Sequence, residues 1–147
     1  MAWRRLTKAD LGATISQKEI DAYRQSAPAG TDAVADLLSR TAEMARGYCR
    51  ANRAVKLPAD GESVPGSLVA ACCDYAAYDV LKRQPVPVGE DRRKAYEEAM
   101  RILRDVAEGR TTPEGHGEAE DAASGTVAVQ VAVSSRRRVT SEKLEGL

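Results

Sequence analysis

The sequence predicts an all-α fold: a small bundle of four to five helices with an extended C-terminal arm containing one β-strand. Three observations carry this. Apolar residues recur at three- and four-residue spacing through residues 1–110, the period of helices that each bury one stripe. Aromatic residues make up only 4% of the chain, with one Trp, five Tyr and no Phe. Ala, Val and Leu must therefore fill the core, which suits thin, closely packed helices. Past Gly109 the helical period stops, and one run of strict alternation follows. At 147 residues the chain has room for one domain and an appendage. It divides into a helical domain (1–110), a flexible linker (111–125) and a C-terminal arm (126–147).

Taken in order, Thr7-Lys8-Ala9-Asp10-Leu11 is expected to form a single turn. Ser16-Gln17-Lys18-Glu19 has the capping-box pattern and starts a helix through Gln25, with Ile20 and Tyr23 facing inward. Pro28-Ala29-Gly30 breaks the chain, and Thr31 or Asp32 caps the next helix. That helix runs over 33–53, with Val34, Leu37, Leu38, Thr41, Ala45, Tyr48 and Cys49 on its buried stripe. Asp36, Arg40, Glu43, Arg46, Arg50 and Arg53 are assigned to the other side. After a loop at 56–61, Pro65 suits the first turn of a third helix. From Leu68 to Leu81 that helix is apolar nearly all round, which predicts a central position. A second loop at 84–89 precedes a fourth helix, where Glu90 and Asp91 complement the dipole and Gly109 supplies the stop. The expected core includes Leu37, Leu38, Tyr48, Leu68, Cys72, Ala76, Tyr96 and Leu103.

The arm holds the clearest strand signal. Thr126 to Val133 alternates strictly, with Val127, Val129, Val131 and Val133 on one face. A lone strand leaves its backbone groups unpaired, and even a two-stranded hairpin is marginal in water. With no obvious second strand in the sequence, this one is expected to complete its ladder on another chain by β-augmentation. The alternatives are an edge strand folded back on the helices and a tail that is merely Val-rich. Arg136, Arg137 and Arg138 follow as the one basic cluster that the sequence displays. They suit carboxylates on a protein partner, protection of a sticky strand edge, or nucleic acid, for which three charges without interleaved aromatics are a weak signal.

Little in the sequence points to chemistry. The single histidine, His116, lies in the linker between two glycines, where nothing rigid would position it for catalysis. Cys49, Cys72 and Cys73 form neither a disulfide framework nor a zinc pattern; they read as buried reduced thiols, with a vicinal redox pair as the alternative. Asp74 and Asp79 sit on the most apolar helix. Each is either a carboxyl of perturbed pKa or a partner for a nearby arginine or backbone group. The glycines form no phosphate loop. There are 22 basic and 22 acidic residues, so the sum of charges attracts neither nucleic acid nor an anionic membrane. No apolar run reaches membrane-spanning length, and the first residues lack the apolar stretch of a secretory signal. The chain is expected to be no enzyme, with no metal and no cofactor.

The order of these features resembles a known family. It comprises the Thr7–Leu11 turn and short helix, Asp32 with an Ala- and Leu-rich helix reaching Tyr48, and Leu57-Pro58. Pro65 then opens an apolar helix with Asp74-Tyr75-Ala76-Ala77-Tyr78, followed by Arg92, Arg93, Tyr96, Ala99, Leu103 and Gly109. Over residues 5–112 this is similar to the Mu-like phage and prophage head-tail connector (adaptor, head-completion) proteins, from whose shorter members the tail at 111–147 departs. The resemblance implies a ring of identical copies, a dodecamer in the family, beneath the portal of a tailed phage head. Its implied partners are itself, the portal protein and a tail or neck protein, with nonspecific proximity to packaged DNA and no membrane. Its implied place is the virion neck, after assembly in the bacterial cytoplasm. A DNA-binding regulator of the helix-turn-helix type is the rival reading.

Overall fold

The helix that the sequence marks as apolar on nearly every side is the one the other elements pack around. In the computed structural model of the protein, which describes residues 2–113, the elements run β1 (Arg4–Arg5), α1 (Lys8–Thr14), α2 (Gln17–Gln25), α3 (Ala33–Ala51) and β2 (Ser63–Val64). A 3-10 turn (Gly66–Leu68) follows, then α4 (Val69–Lys82) and α5 (Glu90–Ala107). The described part is thus mostly helical, with one small sheet. Helix α4 packs against α1, α2, α3 and α5. It buries Val69, Ala71, Cys72, Cys73, Ala76, Ala77 and Val80. These side chains are small, so neighbouring helices approach closely; dispersion and apolar burial, about 25 cal/mol per Å², then stabilise the assembly.

The core has two lobes, and α3 and α4 belong to both. Ala42, Ala45, Cys49, Val64, Leu68, Cys72, Leu103 and Val106 form one lobe. Leu11, Ile15, Ile20, Tyr23, Val34, Leu37, Ala76, Ala77 and Val80 form the other. Of the expected core residues, Leu37, Leu38, Leu68, Cys72, Ala76 and Leu103 are buried. Tyr48 and Tyr96 are only half-buried. Tyr48 packs on the edge of the first lobe, and Tyr96 lies in an aromatic seam described below. A phenol has a polar end, and half-burial keeps that end near water.

The N-terminal third differs from expectation in an instructive way. Instead of a single turn, α1 is a seven-residue helix with its own capping box. Asp10 N–H donates to Thr7 Oγ1 at 3.2 Å, and Thr7 N–H donates to Asp10 Oδ2 at 2.8 Å. The expected box at Ser16 and Glu19 follows at once, with Ser16 N–H donating to Glu19 Oε2 at 2.8 Å. Ile15, extended between the two boxes and buried, makes the corner. Asp32 caps α3, accepting from Ala35 N–H at 3.2 Å. That helix stops at Ala51 rather than Arg53, with Asn52 as its C-cap.

Pro65 precedes the 3-10 turn instead of sitting inside α4; its carbonyl accepts from Leu68 N–H at 2.9 Å. The close of α5 follows a Schellman pattern. Gly109 takes a left-handed φ of 75°, its N–H donates to Val106 O at 3.1 Å, and Arg110 N–H donates to Asp105 O at 2.8 Å.

A two-stranded antiparallel ribbon, pairing Arg4 with Val64 and Arg5 with Ser63, corrects the view that residues before the arm offer no strand. Its strands are two residues long, too short for alternation to show in sequence. The expected strand at 126–133 lies outside the described residues, as do most of the linker and the rest of the arm.

Cys49, Cys72 and Cys73 are all buried and form no disulfide. Burial pushes the Cys72 thiol up to about 12 and the Cys73 thiol up to about 11. At pH 8, a thiol reagent should label none of the three rapidly in the folded chain and all of them once the chain is unfolded in guanidinium. Fast labelling of any of them under native conditions would show that the packing around α4 is looser than described.

Candidate interaction surfaces

Much of the polar chemistry of residues 2–113 is turned to holding the fold. The clearest case is Arg46, assigned from sequence to the exposed side of α3 but only 6% exposed. Its position is one helical step from Ala42, Ala45 and Cys49, so the periodicity places it inward and only its charge argues otherwise. Nη1 donates to the Ser63 carbonyl at 2.9 Å and reaches Asp60 Oδ1 at 3.4 Å, while Nη2 donates to the Pro58 carbonyl. The Trp3 ring lies against the guanidinium at 5.8 Å. A planar fork of donors satisfies several acceptors at once, which an ammonium cannot do. Arg46 thereby ties the loop at 58–63, the ribbon and the N-terminus to α3. Asp60 caps that loop in turn: the Ser63 side chain and backbone hold its carboxyl below the usual carboxylate range.

Asp10 plays a similar part at the start of the chain. Arg4 donates to it twice, at 2.8 and 2.9 Å, and Thr7 adds its hydroxyl at 2.7 Å. The Arg4 guanidinium, with Thr7, holds the Asp10 carboxyl well below its ordinary value. The two aspartates of α4 separate. Asp79 pairs with Lys82 at 3.0 Å and more loosely with Arg83 at 3.8 Å. Asp74 is half-buried, and desolvation raises its pKa against the opposing charge of Arg92. Arg92 itself donates to the Thr14 carbonyl, tying α5 to the end of α1.

Three surfaces remain for partners. The first is a tyrosine seam between α4 and α5, where the Tyr96 ring stacks on Tyr78 at 4.3 Å and on Tyr75 at 5.8 Å. All three rings are half-buried, a residue type and exposure common at protein interfaces. The second is a pair of shallow grooves along α3, sharing Asp36 and Ser39. One, of about 480 Å³, includes Tyr23, Pro28 and Arg83; the other, of about 390 Å³, includes Leu6, Leu38 and Glu62.

The third surface is electrostatic. Cations on α5 are largely matched within the helix: Lys94 with Glu90 at 3.2 Å, Arg93 with Glu97 at 3.9 Å, and Arg101 with Glu98 and Asp105. Near the N-terminus, Arg5 meets Glu62 at 3.1 Å and Lys8 meets Asp32 at 2.7 Å. From Met44 to Ala59, however, the chain carries Arg46, Arg50, Arg53 and Lys56 without one carboxylate. The last three are exposed and form no ion pair with a described residue. Reading the net charge alone hides this asymmetry.

The arm residues singled out from sequence, Val127, Val129, Val131, Val133 and Arg136, Arg137, Arg138, lie outside the described residues. Among the described residues, no group of three or more His, Cys, Asp or Glu converges on a metal-sized site, and no helix is long and apolar enough to cross a membrane.

Small helices around a buried apolar axis, with polar groups committed to caps and loops, define an α-helical bundle whose exposed surfaces are the places left for partners. The chain belongs to a phage protein family: the family model described as Bacteriophage Mu, Gp36 matches residues 6–132. The match runs past the bundle, through the linker and across most of the Val-alternating segment. The family pattern therefore reaches residue 132 and takes in most of the tail at 111–147. No curated protein and no solved structure matches the chain.

Replacing Arg46 by Ala leaves buried carbonyls without their donor. It should lower the unfolding free energy in urea by on the order of 3 kcal/mol, with Arg46→Lys recovering only part of the loss. A loss below about 0.5 kcal/mol, the range of an ordinary surface substitution, would show that the guanidinium does not hold the loop.

Proposed function

We propose that this chain is a head-tail connector (adaptor) of a tailed bacteriophage. Copies form a ring that joins the portal to the tail or to the next neck component and extends the DNA channel. The observation that carries the reading is the family match over residues 6–132. The ordered motifs of the sequence support it, as does a bundle that buries its apolar stripes internally and leaves tyrosine and charged surfaces outside.

In this reading the work is docking: the chain is not an enzyme and holds no cofactor. Each bundle is a preformed block, and lateral contacts between identical copies use its exposed faces. A ring requires a heterologous contact, in which one patch meets a different patch on the next copy. The Val127–Val133 segment adds as a strand to a partner sheet, the portal being the proposed partner, and Arg136–Arg138 fasten it through carboxylates. The virion neck is the place this implies. The rival, a helix-turn-helix regulator, would need a polar helix face free to enter a groove. Helix α4 instead buries Cys72, Ala76, Ala77 and Val80, which removes the most plausible recognition helix.

The test compares the full chain with one lacking residues 126–147. The full chain should assemble into a ring by native mass and restore complete particles to a phage lacking this protein. The truncated chain should keep its helical circular dichroism but fail to complete particles. Complete particles from the truncated chain would refute the strand lock, and a full chain that stays monomeric alongside the portal would refute the ring.

A further inference from the structure

We propose that the C-terminal half of α3 and the loop after it form a contact for the phosphate backbone of duplex nucleic acid, through Arg50, Arg53 and Lys56. The identity of the polyanion as DNA rests on the connector reading; the cationic surface itself rests on the structure. Arg50 lies in the last turn of α3, and Arg53 and Lys56 follow in the loop after its Asn52 C-cap, so the three cations are close neighbours in the chain. All three are exposed. None has a described carboxylate within ion-pair distance, whereas Arg93, Lys94 and Arg101 of α5 each lie beside an acid three or four residues away. Asp60, the first acid after this stretch, is taken up by Arg46, Ser63 and Glu62 N–H.

The same end of the bundle gains further positive charge from α5. Asn52 Nδ2 donates to the Thr111 carbonyl at 3.4 Å, which joins the end of α3 to the segment after α5. Arg104, in the last turn of α5, is also exposed and unpaired among the described residues. Cations at a helix C-terminus interact favourably with the helix dipole. That effect is confined to the last turn and favours one or two charges. It gives no reason for a stretch from Met44 to Ala59 without an acid in a chain of zero net charge. Phosphates at regular spacing take up such a row, and each neutralised phosphate releases a counterion. The contact carries no base specificity, since long flexible cations reading a backbone position a protein without reading sequence. For a ring through which DNA passes, nonspecific contact is the useful kind.

The experiment measures anisotropy of a fluorescent duplex of roughly 20 base pairs with the full chain, at about 50 and about 200 mM salt. Two variants remove the same charge: R50Q/R53Q/K56Q and, as control, R93Q/K94Q/R101Q on α5. R50K/R53K keeps the charge. Wild type, the control and the lysine variant should bind, and affinity should fall with salt at a slope near −2.7 for about three phosphates. The R50Q/R53Q/K56Q variant should lose most of that binding and most of the slope while keeping its thermal melting point. Equal losses in both neutralised variants, a wild type that binds poly-glutamate but not DNA, or a change in melting point without a change in binding would overturn the proposal. Because binding is read on the chain at any assembly state, absence of a ring would count against the connector reading alone.

Discussion

The packing of α1, α2, α3 and α5 around one helix is the constraint that the rest of the structure obeys. Helix α4 is built from Ala, Cys and Val over most of its length, and its neighbours come from before and after it in the chain. A helix covered in this way lends a partner little beyond its edge at Tyr75 and Tyr78. Its small side chains bring the neighbouring helices close, and both lobes of the core draw on it. The described residues consequently divide their labour: α4 is the buried axis, and the surfaces left for partners are the outward faces of α3 and α5 and the tyrosine seam.

A second constraint follows from the first. Short helices around a central one need many corners, and each corner leaves backbone groups to satisfy. Here the corners are made by side chains: Thr7 with Asp10, Ser16 with Glu19, Asp32 with Ala35 N–H, Arg46 with two carbonyls. No buried side-chain nitrogen or oxygen among the described residues lacks a partner. The ribbon of Arg4–Arg5 with Ser63–Val64 is marginal by its length alone. It persists because Val64 is fully buried and Arg46 grips the Ser63 carbonyl.

How much of this is legible in the sequence depends on the length scale of each signal. The Ser16 box, the Asp32 cap, the central place of α4 and the Gly109 stop are all local patterns, and the structure carries each of them. The Thr7 box escapes because Asp10 stands where Glu or Gln marks the motif, which makes a helix look like a turn. The ribbon escapes because two residues give no period. Arg46 is a different kind of failure: spacing places it inward and charge outward, and its acceptors are twelve and seventeen residues away in the chain. The stacking of Tyr75, Tyr78 and Tyr96 likewise needs the pairing of α4 with α5 before it can be seen. The basic stretch from Arg46 to Lys56 is legible, but a sum over the whole chain conceals it.

Family membership and physical reading meet at the surface. A phage protein of the Mu Gp36 family that keeps its chemistry for its own corners is suited to be a building block, and the proposed ring uses what α4 leaves free. The whole account depends on α4 being the stable axis, and native-state hydrogen exchange on the full chain measures this most directly. Amides from Cys72 to Val80 should be the slowest in the molecule, exchanging only when the bundle unfolds globally, with α1 and α2 opening earlier. Exchange across α4 as fast as that of α2 would contradict the account, because the other elements would then have no fixed helix to pack upon.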